Sequence, residues 1–471
     1  MLPKPQNYAI YPTVVQTKKE TCMVIAPTER AFLLVEGETY TVTIIGVNND
    51  ELSYHTPMSY KYVEAISSGG VLKFNYSFDV EQEYLLILKN ANGDKKAEIK
   101  MYAVDEDLYA LKPLRGDFHS HSFRSDGSRD VSAHAGHYRE MGYDFCALTD
   151  HNRFYPGGEM DEVYADVDMN YKRVMGEEVH TPGSIIHIVH VGGKKSVAEQ
   201  YIHQRQQYEK DVMEKYLPSV PATIAEEYKL RYARAMWATD KIHEAGGLAI
   251  FAHPYWRTGS RVYNVNDDFA RVLLKSGMFD AYELIGGMGY DGVNRSVNLL
   301  MELRAQGINI PVVGSSDVHE INKDYTYPNF FSICFVKENE NDAIIESVKN
   351  GMSVAVQGIG VEYDRNYYCY GSVRLVSYAT FLLKDYFDKR QRVCQNEGVA
   401  MRAYAMEEVG KELIEIQCAY TRDWTDRYFG KKPPVLPSKS MLDFENKWRA
   451  THVKVGPPTK GSSIDGNNYQ I

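Results

Sequence analysis

The stretch LRGDFHSHSFRSDGSRDVSAHAGHYREMGYDFCALTDHN, residues 114–152, decides the fold. It begins with a strand-like run that ends in DFHSH and continues with a helical run that ends at Gly142. It then returns to a strand-like run that ends in TDHN. A strand, a helix of this length and a second strand make a βαβ unit, which brings its strands together in parallel. The stretch therefore predicts an α/β domain with polar side chains at its strand ends.

The same alternation recurs further along the chain. TDKIHEAGG is followed by LAIFAHP (239–254), VNLLMELRAQG by INIPVVGSSDVH (297–319), and AIIESVKNG by MSVAV (343–356). In each pair a helical run precedes an apolar, strand-like run. Repeated units of this kind predict a parallel sheet or a barrel.

The residues before this region predict an antiparallel β-sandwich. In GETYTVTIIGV, Tyr40, Val42 and Ile44 share one face of a predicted strand, and threonines occupy the other face. The run EYLLILKNANGDKKAEIKMYAV predicts a hairpin around NGD. Several short alternating strands with turns between them are typical of an Ig-like sandwich.

The residues after the βα region predict helices without strands and then an extended tail. Leu375, Tyr378, Leu382 and Tyr386 recur at helical spacing. The tail KVGPPTKGSSIDGNNYQI, residues 454–471, has the composition of a linker. Three domains are therefore expected: a β-sandwich over 1–111, the barrel over 112–360, and a helical extension with its tail over 361–471.

Composition restricts the kinds of partner. The 53 Lys and Arg residues and the 63 Asp and Glu residues give a formal net charge of −10. Long nucleic acids are bound through basic surfaces, so none is expected here, whereas a small phosphorylated compound needs only a local positive site. No apolar run is long enough for a membrane span. A cytoplasmic location is expected, and the flanking regions leave open a homo-oligomer.

The polar clusters of the βα region follow predicted strands, in the runs DFHSH, LTDHN, FAHP and GSSDVH. The carboxyl ends of parallel strands form one rim of a barrel, so these side chains should lie close together. His119 and His121 are two residues apart and point to the same side of a strand, and Asp317 and His319 repeat that spacing. Imidazoles and carboxylates without thiolates predict a site for Zn, Mn or Fe.

The order of the motifs DxHxH…SDG, LTDH, GxE, HI, AHP and SDxH resembles the PHP superfamily, named for polymerase and histidinol phosphatase. The resemblance covers roughly residues 112–358. It implies a distorted (β/α)7 barrel that holds two or three divalent metal ions at its carboxyl rim. It also implies a metal-dependent phosphoesterase that cleaves a small phosphorylated metabolite by means of a metal-bridging hydroxide.

Matched motif by motif, the resemblance implies nine metal ligands: His119, His121, Asp126, His151, Glu178, His187, His253, Asp317 and His319. The GxE pattern selects Glu178, which is expected to bridge two ions, and Glu177 beside it is the alternative. The HI motif fits His187 best, and His190 is the alternative.

Catalytic roles are predicted for Asp317, His319 and Glu178. Asp317 is expected to be the metal ligand nearest the attacking water. Asp317 or a nearby histidine is also expected to give a proton to the leaving alkoxide. Two metal ions about 3.5–4 Å apart can hold a bridging hydroxide and polarise the phosphoryl oxygens together, which is the reason to expect phosphate-ester hydrolysis.

Four further residues are predicted to support this chemistry. Asp117 and Asp150 each stand beside a ligand histidine and are expected to orient it. Arg257 in AHPYWRTGS and Arg153 after TDHN are expected to bind phosphate, because a guanidinium holds oxyanions with two hydrogen bonds. For each arginine, a solvated surface position is the alternative.

Two other functions stay open. A metal hydrolase of another ester or of an amide would use the same activated water. A non-catalytic protein would use the β-sandwich to bind its partner. The complete set of ligands argues against the second of these.

Overall fold

The structure is a computed structural model that describes residues 6–48, 61–259, 261–360 and 365–452. Among the described residues, Val104–Asp426 form one compact unit. The residues up to Ala103, together with those from Arg427 onwards, form a second one. The predicted tail over 454–471 lies outside the described residues.

The second unit contains two antiparallel sheets. Its strands are β1 (Tyr8–Tyr11), β2 (Val14–Gln16), β3 (Thr21–Pro27), β4 (Thr39–Gly46), β5 (Lys61–Ile66), β6 (Leu72–Tyr76), β7 (Gln82–Lys89) and β8 (Lys95–Val104). One sheet has the order β1-β3-β6 and the other the order β2-β8-β7-β4-β5. As predicted, Tyr40, Val42 and Ile44 are buried, in a core that takes side chains from both sheets. The predicted hairpin is also present and joins β7 to β8. The Ig-like topology stays a prediction.

The unit Val104–Asp426 holds the residues of the predicted site. Its strands are β9 (Lys112–Asp117), β10 (Phe145–Leu148), β11 (Lys172–Val179), β12 (Ile188–Gly192), β13 (Gly247–Phe251), β14 (Ala281–Ile285), β15 (Val312–Gly314), β16 (Phe330–Val336), β17 (Ser353–Ile359) and β18 (Asn366–Tyr370). They form one sheet in the order β15-β14-β13-β12-β11-β10-β9-β16-β17-β18.

The α-helices among the described residues are α1 (Glu106–Tyr109), α2 (Val131–Glu140), α3 (Pro156–Val163), α4 (Ala198–His203), α5 (Arg205–Asp211), α6 (Glu226–Glu244), α7 (Asp267–Lys275), α8 (Tyr290–Ala305), α9 (Asn341–Lys349), α10 (Val373–Leu382), α11 (Asp388–Ala405), α12 (Lys411–Tyr428) and α13 (Lys439–His452). In the part of the chain that the structure describes, no helix combines the length and the apolar content needed to cross a membrane.

The ten-stranded sheet is nearly closed. Ser353 Oγ on β17 donates to the carbonyl of Val312 on β15 at 2.8 Å, and Ser332 Oγ on β16 donates to the carbonyl of Gly314 at 2.8 Å. These bonds connect the β15 edge of the sheet to strands on its far side. The expected mixed α/β class is therefore confirmed, with a barrel-like sheet.

The strand pattern differs from the prediction in two respects. The sheet has ten strands instead of the seven of a (β/α)7 barrel, and β12 is antiparallel to both of its neighbours. Residues 180–187, which join β11 to β12, are fewer than the dozen or so that a parallel crossover needs. The expectation of helices without strands after residue 360 is also wrong, because β18 pairs with β17.

Helix α11 is joined to the sheet region by buried ion pairs. Arg139 Nε on α2 donates to Glu397 Oε2 on α11 at 2.6 Å, and both side chains are buried. Arg390 Nη1 on α11 donates to Asp144 Oδ2 at 2.9 Å. A buried charge is tolerated only with a partner, so these pairs fix α11 against α2 and the start of β10.

Candidate metal centre

All nine predicted ligands lie at one rim of the sheet. They occupy strand ends or the loops beside them: His119, His121 and Asp126 after β9, His151 after β10, Glu178 near the end of β11, His187 just before β12, His253 after β13, and Asp317 and His319 after β15. Because β12 runs antiparallel to its neighbours, its first residues lie at the rim where theirs end. The reversed strand thus brings His187 to the same place as the other ligands.

Backbone hydrogen bonds hold the two HxH-like loops side by side. The amide of Asp317 donates to the carbonyl of His119 at 2.8 Å, and the amide of His121 donates to the carbonyl of Val318 at 3.0 Å. Ser120 and Val318 form a parallel bridge beyond the ends of their strands. This pairing fixes the backbone from which the ligand side chains project.

Glu178 lies at the centre of the histidines. Its Oε1 is 2.9 Å from His187 Nδ1 and 3.1 Å from His253 Nε2. Its Oε2 is 2.7 Å from His151 Nδ1 and 3.5 Å from His119 Nε2. Each carboxylate oxygen therefore faces a different set of imidazoles, which is the arrangement expected of a carboxylate that bridges two cations.

Asp317 faces the HxH pair. Its Oδ1 is 2.9 Å from His121 Nε2 and 3.2 Å from His119 Nε2. Ligand atoms that share a cation at about 2.1 Å lie roughly 3.0–3.4 Å apart in octahedral or tetrahedral coordination. The measured separations match that spacing.

Asp126 forms a more exposed group with two histidines. Its Oδ2 is 3.2 Å from His151 Nε2, and its Oδ1 is 3.4 Å from His319 Nε2. His319 Nδ1 lies 3.0 Å from the backbone carbonyl of Asp317, so the ring proton is on Nδ1 and Nε2 faces the carboxylate. Together with His121, these side chains place ligand atoms within 4.8 Å of one another.

Seven buried atoms of this cluster make no hydrogen bond: His119 Nε2, His121 Nδ1, His151 Nδ1, Glu178 Oε2, His180 Nε2, His187 Nδ1 and His253 Nδ1. Buried polar atoms in folded proteins nearly always have a partner. Divalent cations would satisfy nitrogen and oxygen atoms in these positions, and the donor set suits Zn, Mn or Fe. The residues present therefore fit a metal centre.

The two alternatives of the sequence analysis pair with each other away from the cluster. Glu177 Oε1 is 3.1 Å from His190 Nδ1, and Glu177 also accepts hydrogen bonds from Ser196 Oγ at 2.7 Å and the amide of Val197 at 2.6 Å. Successive residues of a strand point to opposite faces, so Glu177 points away from the side that Glu178 occupies. The structure thus places Glu178 and His187 in the cluster.

His180 is a cluster residue that the sequence analysis missed. Its Nε2 is 3.1 Å from Glu178 Oε1, and its ring lies 3.8 Å from that of His187, centroid to centroid. His180 follows Glu178 by two positions on an extended segment, so strand alternation places both side chains on one face. That alternation was a signal from which His180 could have been found.

Glu283 on β14 was missed as well. Its Oε2 is 3.1 Å from His119 Nδ1, and both side chains are fully buried. A carboxylate at Nδ1 keeps the ring proton there and leaves Nε2 free for a cation, as in many carboxylate–histidine–metal sites. An ionisable residue inside the apolar strand AYELI was the signal for this contact.

The histidines keep the two central carboxylates ionised. Burial alone would raise the pKa of Glu178, but the charge of the nearby His119, whose own pKa is raised well above normal, lowers it well below its usual value. Burial acts on Asp317 in the same direction, and His119 and His121 again outweigh it, so the pKa of Asp317 also lies far below normal. An ionised Asp317 can bind a cation but has no proton to give, which favours the nearby histidine among the two predicted proton donors.

The imidazoles themselves differ in their protonation. Burial lowers the pKa of His121 and that of His187 to about 4, so both rings are neutral at pH 7 and available as ligands. Burial opposes the proton on His253 too, but the hydrogen bond to Glu178 and the charge of Asp317 raise its pKa to about 9. A cation at the cluster must displace that proton.

Asp117 and Asp150 hold the ligand loops through their backbones. Asp117 Oδ1 accepts from the amide of His119 at 3.1 Å and from that of Ser316 at 3.0 Å. Asp150 accepts from the amide of Ser122 at 2.9 Å and from its hydroxyl at 2.7 Å. Each carboxylate had been predicted to orient the histidine beside it. In the structure both hold the loops through their backbone amides.

A pocket of about 610 Å³ opens beside the cluster. Asp317 and His319 line one part of it, and Arg257 lines another. Among the described residues that line this pocket, Arg257 is the only Lys or Arg, and its Nη2 lies 3.5 Å from Oδ2 of Asp291 in the same lining. Arg153 is exposed and lies outside the lining.

Gly287 allows the pocket wall to approach the ligands closely. Its φ is +31°, and a Cβ atom there would lie 2.3 Å from Asp317 Oδ2 and 3.0 Å from His253 Cδ2. No larger residue fits without moving these side chains. The loop after β14 is therefore part of the wall of the metal centre.

A scan against protein-family models found no match, and neither did a search of curated proteins. A search of solved structures found similar chains. A two-domain protein from Bacteroides vulgatus that contains a predicted PHP-like metal-dependent phosphoesterase is 19% identical over 52% of this chain and 65% of its own, with a TM-score of 0.36. A proposed metal-dependent phosphoesterase from Bifidobacterium adolescentis is 17% identical over 43% of this chain and 87% of its own, with a TM-score of 0.31.

An amidohydrolase from Chromobacterium violaceum, solved with bound sulfate and no metal, is 17% identical over 44% of this chain and 89% of its own, with a TM-score of 0.30. The first two structures bear the PHP-like or phosphoesterase description that the motifs of this chain had suggested. The identities and the TM-scores are low. What this chain does must therefore be inferred from its own side chains.

Proposed function

We propose that this chain is a divalent-metal-dependent phosphoesterase that acts on a small phosphorylated compound. The carrying observation is the convergence of seven histidines and three carboxylates at one rim, with buried ligand atoms that lack hydrogen-bond partners. The pocket beside them, which contains Arg257, supports a phosphorylated substrate because a guanidinium binds tetrahedral oxyanions.

The residues of the cluster have different roles in the proposed reaction. When bound, two or three divalent ions (Zn, Mn or Fe) supply an ionised water near neutral pH and withdraw charge from the phosphoryl group. Glu178 joins two parts of the cluster through its two oxygens, and Asp317 holds the part that faces the pocket. Arg257 orients the phosphate from the pocket side.

Proton transfer falls to a histidine instead of Asp317. Asp317 is ionised, whereas His319 lines the pocket and carries a proton on Nδ1 that it donates to a backbone carbonyl. The Nδ1 proton is held by the carbonyl of Asp317, so the proton that His319 would give to the leaving alkoxide is one on Nε2. In that role His319 does not bind a cation through Nε2.

The test is metal-dependent hydrolysis of p-nitrophenyl phosphate and bis-p-nitrophenyl phosphate. The protein is stripped with a chelator, reloaded with Mn²⁺ or Zn²⁺, and assayed by release of nitrophenolate. We expect activity only after reloading. We also expect His119→Ala and Asp317→Ala each to lower kcat by at least a hundredfold, since each removes a ligand on which the activated water depends.

His203→Ala is the matched control, because His203 is an exposed histidine on α4 outside the cluster. Its activity should equal that of the unchanged protein. Full metal loading without hydrolysis of either phosphate ester would refute the proposal. Metal-dependent cleavage of p-nitrophenyl acetate or an anilide in that case would identify a carboxylic ester or amide hydrolase, and no turnover at all would favour a binding protein.

A further inference from the structure

We infer that the pocket beside the metal centre selects phosphate esters whose leaving alcohol carries a flat, unsaturated ring. The inference rests on the proposed function and extends it to a class of substrate. Its basis is a set of aromatic side chains that line the pocket without being buried: Trp256, Tyr290 and Tyr325 are 39%, 48% and 45% exposed.

Tyr290 and Tyr325 form one aromatic wall. Their ring centroids are 5.4 Å apart, with the planes tilted by 38°. The Tyr325 hydroxyl donates to the carbonyl of Met288 at 2.8 Å, and its ring packs edge-on against Phe330 at 5.9 Å. Tyr325 is therefore held in place before a ligand arrives, which lowers the entropic cost of binding against its ring.

The position of the aromatic wall means that it would contact the leaving group of a bound ester. Ser316, Asp317 and His319 line the same pocket, so a phosphoryl group at the metal centre directs the rest of the ester into the pocket. Pockets that enclose whole small-molecule ligands measure roughly 300–1,000 Å³, and this one, at about 610 Å³, has room for much more than a phosphate ion. The part of the ester that fills the remaining space therefore contacts exposed aromatic rings.

Aromatic faces favour flat rings over puckered saturated rings of equal size. Stacked aromatic pairs gain about 0.5–1.5 kcal/mol beyond the burial of their surface, which is roughly a two- to tenfold gain in affinity. Gly289, in the same lining, has open space around its Cα, so no side chain at that position obstructs a ring.

The first experiment measures binding without turnover. Isothermal titration calorimetry on the Mn²⁺-loaded full chain compares benzylphosphonate with cyclohexylmethylphosphonate, which match in charge and size but differ in ring flatness. We expect benzylphosphonate to bind about three- to tenfold more tightly. In Tyr290→Leu and Tyr325→Leu the ratio should fall below about twofold, because leucine keeps apolar bulk and removes the ring.

Two variants serve as controls. Tyr325→Phe keeps the ring and should keep most of the ratio. Tyr368→Leu removes a tyrosine of similar exposure, 51%, on β18 outside the pocket and should leave the ratio unchanged. The comparison of the two phosphonates on the unchanged chain needs no substitution, so it decides the matter even if a variant does not fold.

The second experiment separates failure of this inference from failure of the proposed function. Benzyl phosphate and cyclohexylmethyl phosphate both release a primary alkoxide, so a difference in kcat/KM reports on the ring. Selective phosphonate binding without hydrolysis of either ester would support the preference of the pocket for flat rings and refute the proposed phosphoesterase activity. Hydrolysis with equal kcat/KM and equal phosphonate affinities would overturn the inference alone, as would a preference for glucose 6-phosphate over benzyl phosphate.

Discussion

Replacing Glu283 by glutamine should weaken metal binding although Glu283 is not itself a predicted metal ligand. Glu283 Oε2 lies 3.1 Å from His119 Nδ1, and neither side chain is exposed to solvent. The charge of Glu283 is one of the influences that raise the pKa of His119 against the effect of burial. Removing that charge makes the imidazole a weaker base and therefore a weaker ligand.

The expected loss of metal affinity depends on whether the new side chain can still accept a hydrogen bond from His119 Nδ1. Loss of a carboxylate that supports a ligand histidine costs about ten- to a hundredfold in metal affinity. Glutamine still offers an oxygen to Nδ1, so Glu283→Gln should fall near tenfold, or about 1.4 kcal/mol. Alanine leaves Nδ1 buried without a partner, so Glu283→Ala should approach a hundredfold, or about 2.8 kcal/mol.

The assay is a competition titration of Mn²⁺ or Zn²⁺ against a chromophoric chelator. Asp280→Asn is the matched control, because Asp280 Oδ2 makes an equivalent contact of 2.9 Å with His243, away from the cluster. Its metal affinity should match that of the unchanged chain. If Glu283→Gln and Glu283→Ala both bind metal as tightly as the unchanged chain, then Glu283 does not position His119.

Two further outcomes are expected. The affinity for Mn²⁺ should rise with pH through about 9, because His253 must lose its proton before a cation binds. The hydrogen bond to Glu178 and the charge of Asp317 raise the pKa of His253 to about 9 against the effect of burial. Calorimetry at several pH values measures this, and a flat profile contradicts it. Glu397→Ala should lower the free energy of unfolding by about 3–5 kcal/mol, because it leaves the buried guanidinium of Arg139 without its 2.6 Å partner.

The comparison for the second outcome is an exposed ion pair in the same unit. Asp168 Oδ2 lies 2.9 Å from Arg422 Nη2, and the two side chains are 69% and 42% exposed. Asp168→Ala should cost about 0–1 kcal/mol. Urea denaturation followed by tryptophan fluorescence measures both variants, and equal losses for the two would show that burial does not decide the strength of the Arg139–Glu397 pair.

The sequence was sufficient for features that depend on local pattern. Alternation along β4 predicted the buried face of Tyr40, Val42 and Ile44, and NGD predicted the hairpin between β7 and β8. The motif order predicted which side chains gather at the rim, because side chains at adjoining strand ends must be neighbours. Those features need only the chain order and the periods of strand and helix.

Other features were decided by contacts between distant residues. Glu177 and Glu178 are chemically identical neighbours, and only the register of β11 against β12 directs one to His190 and the other to the cluster. Asp317 or a nearby histidine had been expected to donate a proton, and the histidines that the fold gathers around Asp317 keep it ionised.

By itself, then, the sequence determined the α/β class and most of the side chains that gather at the rim, since both follow from periodicity and residue chemistry. Only the tertiary structure decided the direction of β12, the contact between Glu283 and His119, and the aromatic wall of Tyr290 and Tyr325. Each of these joins residues that are far apart in the chain or lie on separate elements. A local pattern specifies which face of a strand or helix a side chain occupies, but not which residues of other elements it will contact.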